Sequence, residues 1–597
     1  MSKIAWMDWG DTAFTRAQQE DKPLLLDLDA TWCHWCHVME STTYSDNEVV
    51  QLLNDHFIPI RVDPDRRPDI NDRYNQGGWP TTAIVAPSGE VLYGATYLPA
   101  DQMKALLRNV VNLWQNRRDE VREAVASFKR RVAEDQAAAA QPSNYVPEYV
   151  LDVVIERSKE QFDFAYGGFA SASSGFAPKF PFPEMVEVCL LHHATSGSQE
   201  TQDMARKTLN GMSSGIEDTE EGGFFRYAVE RSWGQPHYEK MLQTNAALLK
   251  LYLRAWQILG DQGYRQSATG IISWALKVMA RPGGGFWGSQ DADGEDAYYG
   301  LSLSERATLP MPLVDKTIFC DWSAEMSRAF LEASLLLGDQ DTLNQALSTL
   351  DYLLSECRQP GGPMFHYIAN GKAQLPGLLN DQSHTILALS KAYQLSANRH
   401  YLLAATELAD FMLAKLYVEQ EGIFLDVPPE IEPSGIELRR QRDIIHNSIA
   451  AEALLEMHYL TGEERYREAA GKALKAFAHE YAEFGPFSAP YALAGWHYHR
   501  PISKLIVIGK ASDFSARWLL VQALAAGYPV SVAQLLDPER NREQIDRLGL
   551  PIHERPTAFL CLKDSCQAVE DPEQLADLVR KNIFNPQGAA VSVGRTG

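Results

Sequence analysis

The 597-residue chain is too long for one hydrophobic core, and its 45% hydrophobic residues are ordinary for a globular protein of two or three domains. No apolar run approaches the roughly 20 residues that span a bilayer, and residues 1–8 lack the charged-then-apolar pattern of a signal peptide, so we expect a cytoplasmic protein without a membrane partner. A net charge of −23 without a long basic run argues against a nucleic-acid partner, and seven cysteines in such a chain argue against a disulfide scaffold.

The first predicted strand leads directly into a pair of cysteines. Residues 24–30 form a short apolar run, and Cys33 and Cys36 follow where the pattern becomes helical. A sulfur at the start of a helix meets unpaired amides and the helix dipole, which stabilise a thiolate. A cysteine three positions later can reach back and resolve a mixed disulfide. We therefore predict Cys33 as the catalytic nucleophile and Cys36 as the resolving thiol, and a protonated His34 would favour the Cys33 thiolate further.

The rest of the N-terminal domain is predicted to contain further strands and a proline placed beside the cysteine pair. Further strands are expected at residues 57–63, 81–85 and 91–94. Trp79 and Pro80 precede the second of these, where thioredoxin folds hold a cis-proline that faces the disulfide, and the cis form costs only about 0.5–1 kcal/mol at such a bond. Residues 1–135 are thus predicted to form a thioredoxin-like α/β domain, with Trp79 and Pro80 among its binding residues.

Two other interpretations of the cysteine pair remain open. Half of a zinc site would need further ligands, and the domain contains no second CxxC and no HxxxH, so that His34 and His37 could complete only a cramped site. The cysteines could also be idle in a vestigial fold. Redox chemistry fits the spacing best, and we predict neither a metal nor a cofactor.

Beyond residues 136–142, an Ala-rich tract that ends in proline and is predicted to be a linker, the chain becomes almost wholly helical. A large all-α domain is expected over 145–500. Its amphipathic segments predict twelve helices, at residues 147–163, 183–196, 200–216, 239–259, 262–280, 321–338, 340–357, 380–397, 399–418, 445–461, 463–482 and 488–499.

Two kinds of turn alternate between these helices. One is tight and polar, as at residues 260–264, and the other is a glycine closely followed by an aromatic residue. Phenylalanines of the second kind recur at Phe169, Phe224, Phe286, Phe365, Phe424 and Phe487. A repeat of about 60 residues with two helices exceeds those of tetratricopeptide or armadillo arrays. It predicts a closed (α/α)6 barrel, a toroid of alternating inner and outer helices, and an open helical solenoid is the alternative.

Polar loops on the glycine–aromatic side supply the candidate residues of the toroid. Loops at one rim converge on its mouth, where carboxylates and imidazoles distant in sequence can meet. The candidate acids and bases are Glu239, Asp291 and Asp293, and the candidate binding residues are Lys179, His237, Lys240, Asp381, His384 and Asn447. Aromatics beside carboxylates suit a sugar-like ligand, and carboxylates on opposite walls suit glycoside hydrolysis. Epimerisation would instead use His237 and His384 as bases.

Each of these residues also has a purely structural interpretation. Asp291 and Asp293 could cap a turn or bind calcium, although the segment lacks the spacing of an EF-hand loop. His237 and Glu239 could belong to a helix start with a solvated Lys240.

Several motifs together resemble the spermatogenesis-associated protein 20 family. In the first domain they are residues 33–40, residues 62–63 with 67–70, and residues 77–80. In the second they are residues 177–180, residues 222–224 with Tyr227, residues 237–242 with Asn245, and residues 291–293. The resemblance implies a thioredoxin-like domain joined to a toroid similar to six-hairpin glycosidases and N-acylglucosamine 2-epimerases. It also adds Asn245 to the binding residues and suggests a role in carbohydrate metabolism.

The last hundred residues predict a small α/β appendage over 501–597. Strands are expected at residues 504–509, 529–535 and 557–561, with helices at 516–527 and 572–583. Cys561 and Cys566 are expected to be ordinary thiols, with a loop disulfide or a second thiol relay as alternatives.

Three functions are compatible with these features. The first is a thiol–disulfide oxidoreductase that acts with a protein disulfide client or a cellular thiol reductant. The second is a carbohydrate-active enzyme, hydrolase or epimerase, that binds a sugar-like ligand in the barrel. The third is a non-catalytic scaffold in which both parts only bind. We favour the first for the N-terminal domain and keep the second for the toroid.

Overall fold

The computed structural model describes residues 3–138, 142–170, 175–292, 298–430, 442–500, 503–510, 512–526, 532–562 and 565–584. They form an N-terminal sheet domain, a ring of helices and a C-terminal sheet domain. Within these ranges, no helix combines the length and the apolar character needed to cross a bilayer.

The N-terminal domain is a four-stranded sheet with helices on both faces. Its elements are α1 (Asp11–Gln19), β1 (Leu24–Leu28), α2 (His34–Thr42), α3 (Asn47–His56), β2 (Ile58–Val62), α4 (Pro68–Tyr74), β3 (Thr81–Val85), β4 (Val91–Ala95), α5 (Ala100–Asn116) and α6 (Arg118–Ala138). The strand order is β2-β1-β3-β4, with β1 parallel to β2 and antiparallel to β3, and with β4 antiparallel to β3.

Strand β1 is buried along its whole length because both faces of the sheet are covered. Leu24 and Leu26 pack towards the core under α1 and α4, whereas Leu25 packs towards the core under α3 and α5. All four strands lie where the sequence predicts them, and the thioredoxin-like fold is confirmed. Helix α6 continues to Ala138, into the tract predicted to be a linker.

The central domain is built from helices and very short strands. The helices are α7 (Val150–Lys159), α8 (Pro183–Ser196), α9 (Gln199–Gly215), α10 (Leu242–Leu259), α11 (Gln262–Trp274), α12 (Leu303–Arg306), α13 (Cys320–Leu337), α14 (Gln340–Glu356), α15 (Leu379–Ser396), α16 (Arg399–Phe411), α17 (Ile444–Thr461), α18 (Glu464–Phe477) and α19 (Ala489–His499). π-Helical turns at Ala275–Met279 and Met412–Leu416 extend α11 and α16, and a 3-10 segment at Tyr481–Ser488 precedes α19.

The short strands pair in the loops at one rim. They are β5 (Tyr227–Ala228), β6 (Pro236–His237), β7 (Lys240–Met241), β8 (Ser289–Gln290), β9 (Val314–Asp315), β10 (Ile318–Phe319), β11 (Phe365–Ala369), β12 (Lys372–Pro376), β13 (Tyr417–Val418) and β14 (Ile423–Phe424).

The helices close into a ring. Helices α8, α10, α13, α15, α17 and α19 each contact the next in this order, and α19 returns to contact α8. Each inner helix also contacts an outer one: α9, α11, α14, α16, α18 and, for α19, α7. Twelve main helices in two concentric layers form the expected (α/α)6 toroid, and the open solenoid is wrong.

Tight polar turns carry the chain from an inner helix to an outer one, as predicted. Gly260 follows α10 with φ of 73°, in the left-handed region that ends a helix and that glycine adopts without a steric penalty. Asp261 then caps α11, because its carboxylate accepts a hydrogen bond from the backbone N–H of Gly263. Stop and start signals in adjacent positions explain why the helix boundaries could be predicted.

The C-terminal domain repeats the sheet of the N-terminal domain. Its elements are β15 (Ser503–Ile508), α20 (Phe514–Ala526), β16 (Ala533–Leu536), α21 (Arg542–Leu548), β17 (Thr557–Leu562), β18 (Ser565–Val569) and α22 (Pro572–Phe584). The order is β16-β15-β17-β18, with one parallel and two antiparallel pairings in the same arrangement as in β2-β1-β3-β4. The sequence predicts an α/β unit here but neither α21 nor β18, so the repetition is a structural finding.

The two sheet domains sit at opposite ends of the ring. Arg66 of the N-terminal domain donates a hydrogen bond to Thr317, just before α13 begins. Leu335 and Leu395, near the ends of α13 and α15, pack against the core of the C-terminal domain. The N-terminal domain therefore covers the rim where the inner helices begin, and the C-terminal domain covers the rim where they end.

Candidate active site

The redox pair lies at the junction of β1 and α2. Cys33 is the N-cap of α2, and its sulfur accepts a hydrogen bond from the backbone N–H of Cys36 at 3.3 Å. The two sulfurs are bonded as a disulfide. Amides at the start of a helix stabilise a thiolate, so this position favours the charged form of Cys33 once the pair is reduced.

The turn before β3 completes the surroundings of the pair. The peptide bond between Trp79 and Pro80 is cis, as the sequence predicts. Strand β3 pairs with β1, which brings this turn beside the cysteines. The Trp79 ring meets the Trp32 ring edge-on at 5.8 Å, and both belong to the apolar cluster that contains Cys33 and Cys36.

That apolar cluster is shared with the ring of helices. Cys33 is 5% exposed and Cys36 is 3% exposed, because the face of the domain that carries them is turned towards the toroid. The Arg226 guanidinium, on the loop before α10, lies 4.2 Å from the Trp32 ring and 5.2 Å from the Trp79 ring. The active sulfurs therefore face the rim of the ring and not the open solvent.

A buried histidine joins the two domains at this rim. His366 has Nδ1 at 3.1 Å from both carboxylate oxygens of Asp381, and Nε2 at 2.7 Å from the backbone carbonyl of Asp65. Both nitrogens face acceptors, so both donate and the ring is an imidazolium. Burial opposes this charge, but the Asp381 carboxylate outweighs it, and the pKa of His366 rises to about 10.

The same residues have metal-like spacing but are already engaged. Ligand atoms of Asp321, His366 and Asp381 lie within 4.8 Å of one another. A metal ligand needs a free nitrogen lone pair, and both His366 nitrogens are occupied as donors. Asp381 holds the histidine that fastens the N-terminal domain, and ligand binding by Asp381 stays a prediction.

Short strands bring two predicted carboxylates together beside Arg226. Lys240 lies opposite Gln290 in the antiparallel pair of β7 and β8. Continuing this register by one residue places Glu239 next to Asp291. The pair of β5 and β6 sets Tyr227 opposite His237, with the two rings stacked at 4.3 Å. These residues, with Trp32 and Trp79, form one group of side chains on the rim, and we call this group the rim crevice.

The two carboxylates, Glu239 and Asp291, lie in largely buried surroundings. Glu239 is 2% exposed, and its Oε2 has no hydrogen-bond partner among the described residues. Its Oε1 lies 3.5 Å from Nδ1 of His237. Burial, with help from the negative charge of Glu239, raises the pKa of Asp291 to about 7. At neutral pH the carboxyl group of Asp291 is therefore partly protonated and can donate a proton.

Arg226 is a cation without a direct anionic partner. Among the described residues, its guanidinium makes no ion pair and no hydrogen bond, and it lies over the rings of Trp32, Trp79 and Tyr227. Burial lowers its pKa, although the charge of Glu239 acts in the opposite direction. A partly exposed arginine without an anionic partner is suited to bind an anion.

One family model and several curated proteins match this chain in sequence. A family model described as "Protein of unknown function, DUF255" and labelled Thioredox_DsbH matches residues 1–133. Spermatogenesis-associated protein 20 from Homo sapiens is 24% identical over 96% of this chain and 90% of that protein. The protein of the same name from Mus musculus is 32% identical over 52% of this chain. The chain is similar in sequence to spermatogenesis-associated protein 20 over most of its length.

Coverage and structural likeness are more limited. The chain spans 43% of the mouse spermatogenesis-associated protein 20 in that alignment. Among solved structures, cellobiose 2-epimerase from Spirochaeta thermophila is 14% identical, with a TM-score of 0.48 over 59% of this chain and 94% of that one. A sugar epimerase from a ruminal bacterium is also 14% identical, with a TM-score of 0.47 over 56% of this chain and 85% of that one.

The two predicted binding lysines hold loops together. Nζ of Lys179 lies 2.9 Å from the Asp163 carboxylate, and both side chains are fully buried. Nζ of Lys240 lies 2.7 Å from Asp218, a carboxylate that also pairs with Arg306. Their ammonium groups are used inside the protein, and ligand binding by either lysine stays a prediction.

Asn245 and Asn447 hold the glycine–aromatic turns. The amide oxygen of Asn245 accepts from the backbone N–H of Phe224 at 2.7 Å, and that of Asn447 accepts from Phe424 at 2.7 Å. Gln382 makes the same contact with Met364. Each amide is the fourth residue of an inner helix, and ligand binding by Asn245 or Asn447 also stays a prediction.

His384 lies inside the ring, in different surroundings from His237. Burial, with the nearby charges of Arg328 and Lys250, lowers the pKa of His384 to about 3, so the ring is neutral at physiological pH. His237 instead lies beside Glu239 at the rim crevice. No contact joins the two histidines within the described ranges, and their joint use as bases stays a prediction.

Two predicted site residues remain, His34 and Asp293. The His34 ring lies against Trp35, which is 46% exposed, and Asp293 falls outside the described residues. Sequence reasoning missed Arg226 and His366. Arg226 stands between two aromatic residues, Phe225 and Tyr227, a pattern that could have been noticed. His366 had no local signal, because its partner Asp65 is 301 positions away.

Proposed function

We propose that the chain is a thiol–disulfide oxidoreductase whose working groups are Cys33 and Cys36. The proposal rests on one observation: the Cys33 sulfur caps α2, and the Cys36 sulfur is bonded to it from one turn deeper. The cis bond before Pro80 and the tryptophans beside the pair accompany that arrangement.

The reaction needs only these two side chains and a disulfide. The Cys33 thiolate attacks one sulfur of the substrate disulfide, forms a mixed disulfide and releases one thiolate. The Cys36 thiolate then attacks the Cys33 sulfur, which releases the second thiolate and forms the Cys33–Cys36 disulfide. Two electrons pass from the dithiol to the substrate, and a cellular thiol reductant restores the dithiol. We propose the cytoplasm as the compartment of this cycle.

Single substitutions test the proposal in a dithiothreitol-coupled assay with hydroxyethyl disulfide and with insulin. Cys33→Ser removes the attacking sulfur, and we expect turnover of both substrates to vanish. Cys189→Ser is the matched control, because this thiol is fully buried in α8 and burial raises its pKa to about 12. A Cys33→Ser protein that turns over at the wild-type rate would overturn the proposal.

A carbohydrate-active enzyme is the second candidate. The observation that favours it is the pairing of Glu239 with Asp291, whose pKa of about 7 suits a proton donor. In this reading Glu239 is the base or nucleophile and Asp291 is the acid, acting on a sugar-like ligand in the rim crevice. Asp293 is a further candidate acid, and His237 with His384 would serve an epimerase.

A screen for turnover of oligosaccharides and reducing sugars tests this candidate. We expect any activity found to disappear in Glu239→Gln and in Asp291→Asn. Asp341→Asn, at the exposed start of α14, is the control that should keep it. Turnover that survives both substitutions in the crevice would exclude these two carboxylates as the working pair.

A further inference from the structure

We propose that the substrate of Cys33 is a small disulfide that carries both a carboxylate and an ammonium group, as amino-acid disulfides do, and that Arg226 and Glu239 recognise these two charges. The inference rests on the oxidoreductase function proposed above. It assigns Arg226, which neither the cysteine motif nor the rim-loop motifs include, to substrate recognition.

The first step of the argument is access. Cys33 and Cys36 are almost fully buried in a core that the N-terminal domain shares with the ring. His366 and Arg66 fasten the two domains together beside them. A folded protein cannot bring its disulfide to these sulfurs without separating the domains. A small molecule needs only to reach the rim beside Arg226 and His237, whose side chains keep partial exposure.

The second step is the unmet positive charge. The guanidinium of Arg226 lies over Trp32, the residue directly before Cys33, and has no hydrogen-bonded anion among the described residues. Glu239, Tyr227 and Asp65 act on its pKa only through space. A carboxylate that enters the crevice can take two parallel N–H donors from the guanidinium, the strongest geometry that a carboxylate finds in proteins.

The third step is the unmet negative charge. Glu239 is buried, and its Oε2 lacks a hydrogen-bond partner among the described residues. An unsatisfied carboxylate oxygen in such a site is costly unless a ligand supplies a donor. An ammonium group supplies three donors and an opposite charge. Oε1 of Glu239 lies 3.5 Å from Nδ1 of His237, so Oε2 is the oxygen that remains for an ammonium group. No ion pair joins Glu239 to Arg226 within the described part of the chain.

The chemistry of the step balances without any further group. One dithiol (Cys33, Cys36) and one amino-acid disulfide give the Cys33–Cys36 disulfide and two amino-acid thiols. The bond between the substrate sulfurs breaks, the bond between Cys33 and Cys36 forms, and the two thiol protons pass to the two released thiolates.

Single-turnover oxidation of the reduced full-length protein by a panel of disulfides tests the proposal. The panel is L-cystine (both charges), dithiodipropionate (carboxylates only), cystamine (ammonium groups only), hydroxyethyl disulfide (neutral) and insulin (a protein). We expect L-cystine to react fastest, at least about tenfold faster than hydroxyethyl disulfide, because two charge-assisted hydrogen bonds add to its binding. Insulin should be the slowest.

Two variants separate the two charges. In Arg226→Gln the ratio of the oxidation rate with L-cystine to that with cystamine should fall by about tenfold or more. In Glu239→Gln the ratio of the rate with L-cystine to that with dithiodipropionate should fall by a similar factor. Arg265→Gln is the matched control, because Arg265 also lies over a tryptophan, Trp256, but on the outer helix α11. Its preferences should equal those of the wild type.

The outcomes distinguish this proposal from the one on which it rests. If no disulfide in the panel oxidises the reduced pair, the oxidoreductase function itself is wrong. If hydroxyethyl disulfide or insulin reacts as fast as L-cystine, the function stands and the substrate class is wrong. The wild-type panel alone decides this, even if a variant does not fold.

Discussion

Two sheets of this molecule share one strand order and differ in what they carry. In the N-terminal sheet, the junction of β1 and α2 holds Cys33 and Cys36. In the C-terminal sheet, the equivalent junction of β15 and α20 spans residues 509–513 and contains no cysteine. Sheets with the same strand order therefore carry a redox pair in one domain and none in the other. The chemistry depends on the residues at the strand–helix junction and not on the sheet.

The cysteines of the C-terminal sheet are placed differently. Cys561 and Cys566 lie directly opposite each other on β17 and β18, and their sulfurs are bonded at 2.04 Å. The expectation that they are ordinary thiols is wrong, because the hairpin brings them into register. A cross-strand bond away from a helix start lacks the amides that stabilise a thiolate, so we expect a structural bond here.

The two sheets also differ in how they attach to the ring. The N-terminal sheet is fastened by a charged group, the imidazolium of His366 between Asp381 and Asp65. The C-terminal sheet is attached through neutral amides: Gln394 accepts from the backbone of Ala533, and Gln534 donates to a backbone carbonyl. Removing one hydrogen-bonding partner should therefore destabilise the attachment to the ring more at the N-terminal sheet than at the C-terminal sheet.

The largest effect is expected for His366→Gln. The substitution leaves the Asp381 carboxylate buried without its counter-charge, which costs about 3–5 kcal/mol. Hydrogen exchange of the β1 amides should accelerate accordingly, and the reduced cysteines should become more accessible to alkylation. His400→Gln, an exposed histidine on α16, should change neither. Unchanged exchange in His366→Gln would show that the charged contact does not fasten the domain.

A smaller effect is expected for Cys566→Ser. Losing the cross-strand bond frees a short loop of the unfolded chain, which lowers the free energy of unfolding of the C-terminal domain by about 2 kcal/mol. Denaturant unfolding followed by exchange of the β17 amides measures it. Disulfide turnover should stay at the wild-type level. The wild type in excess dithiothreitol is the control, since reduction should make the two proteins equal.

Gln534→Ala should weaken the attachment of the C-terminal sheet only slightly. It removes one neutral hydrogen bond, of 2.8 Å, to the carbonyl of Leu460, a loss of about 1 kcal/mol. Exchange of the β16 amides is the measurement, and Gln574→Ala on the exposed start of α22 is the control. An effect as large as that of His366→Gln would contradict the distinction between charged and neutral attachment.

The pH dependence of stability should be local to the N-terminal side. The pKa of Asp291 is raised from 3.8 to about 7, so its protonated form favours folding fully below pH 3.8, and this advantage is lost as pH rises through 7. Asp291→Asn should thus gain stability relative to the wild type as the pH rises from about 4 to about 7. Asp341→Asn should show the same pH dependence of stability as the wild type. A stability difference between Asp291→Asn and the wild type that does not change with pH would contradict the raised pKa of Asp291.

The sequence was most informative where the signals are local. Helix boundaries of the toroid follow from glycines such as Gly260 and capping residues such as Asp261, and the redox pair follows from its spacing. The repetition of the sheet could not be predicted, because β18 is a short strand of mostly small and polar residues that lacks a clear alternating pattern. His366 and Arg226 act through partners far away in the chain, which only the packed structure identifies.

The most direct test is the alkylation rate of the reduced full-length protein as a function of pH, followed at each cysteine by mass spectrometry. We predict that Cys33 reacts with a midpoint below the usual thiol value of about 8.5, that Cys36 reacts more slowly, and that mild oxidation protects both together. A Cys33 that titrates like an ordinary thiol, or that oxidation fails to pair with Cys36, would contradict the assignment of the β1–α2 junction as the redox site.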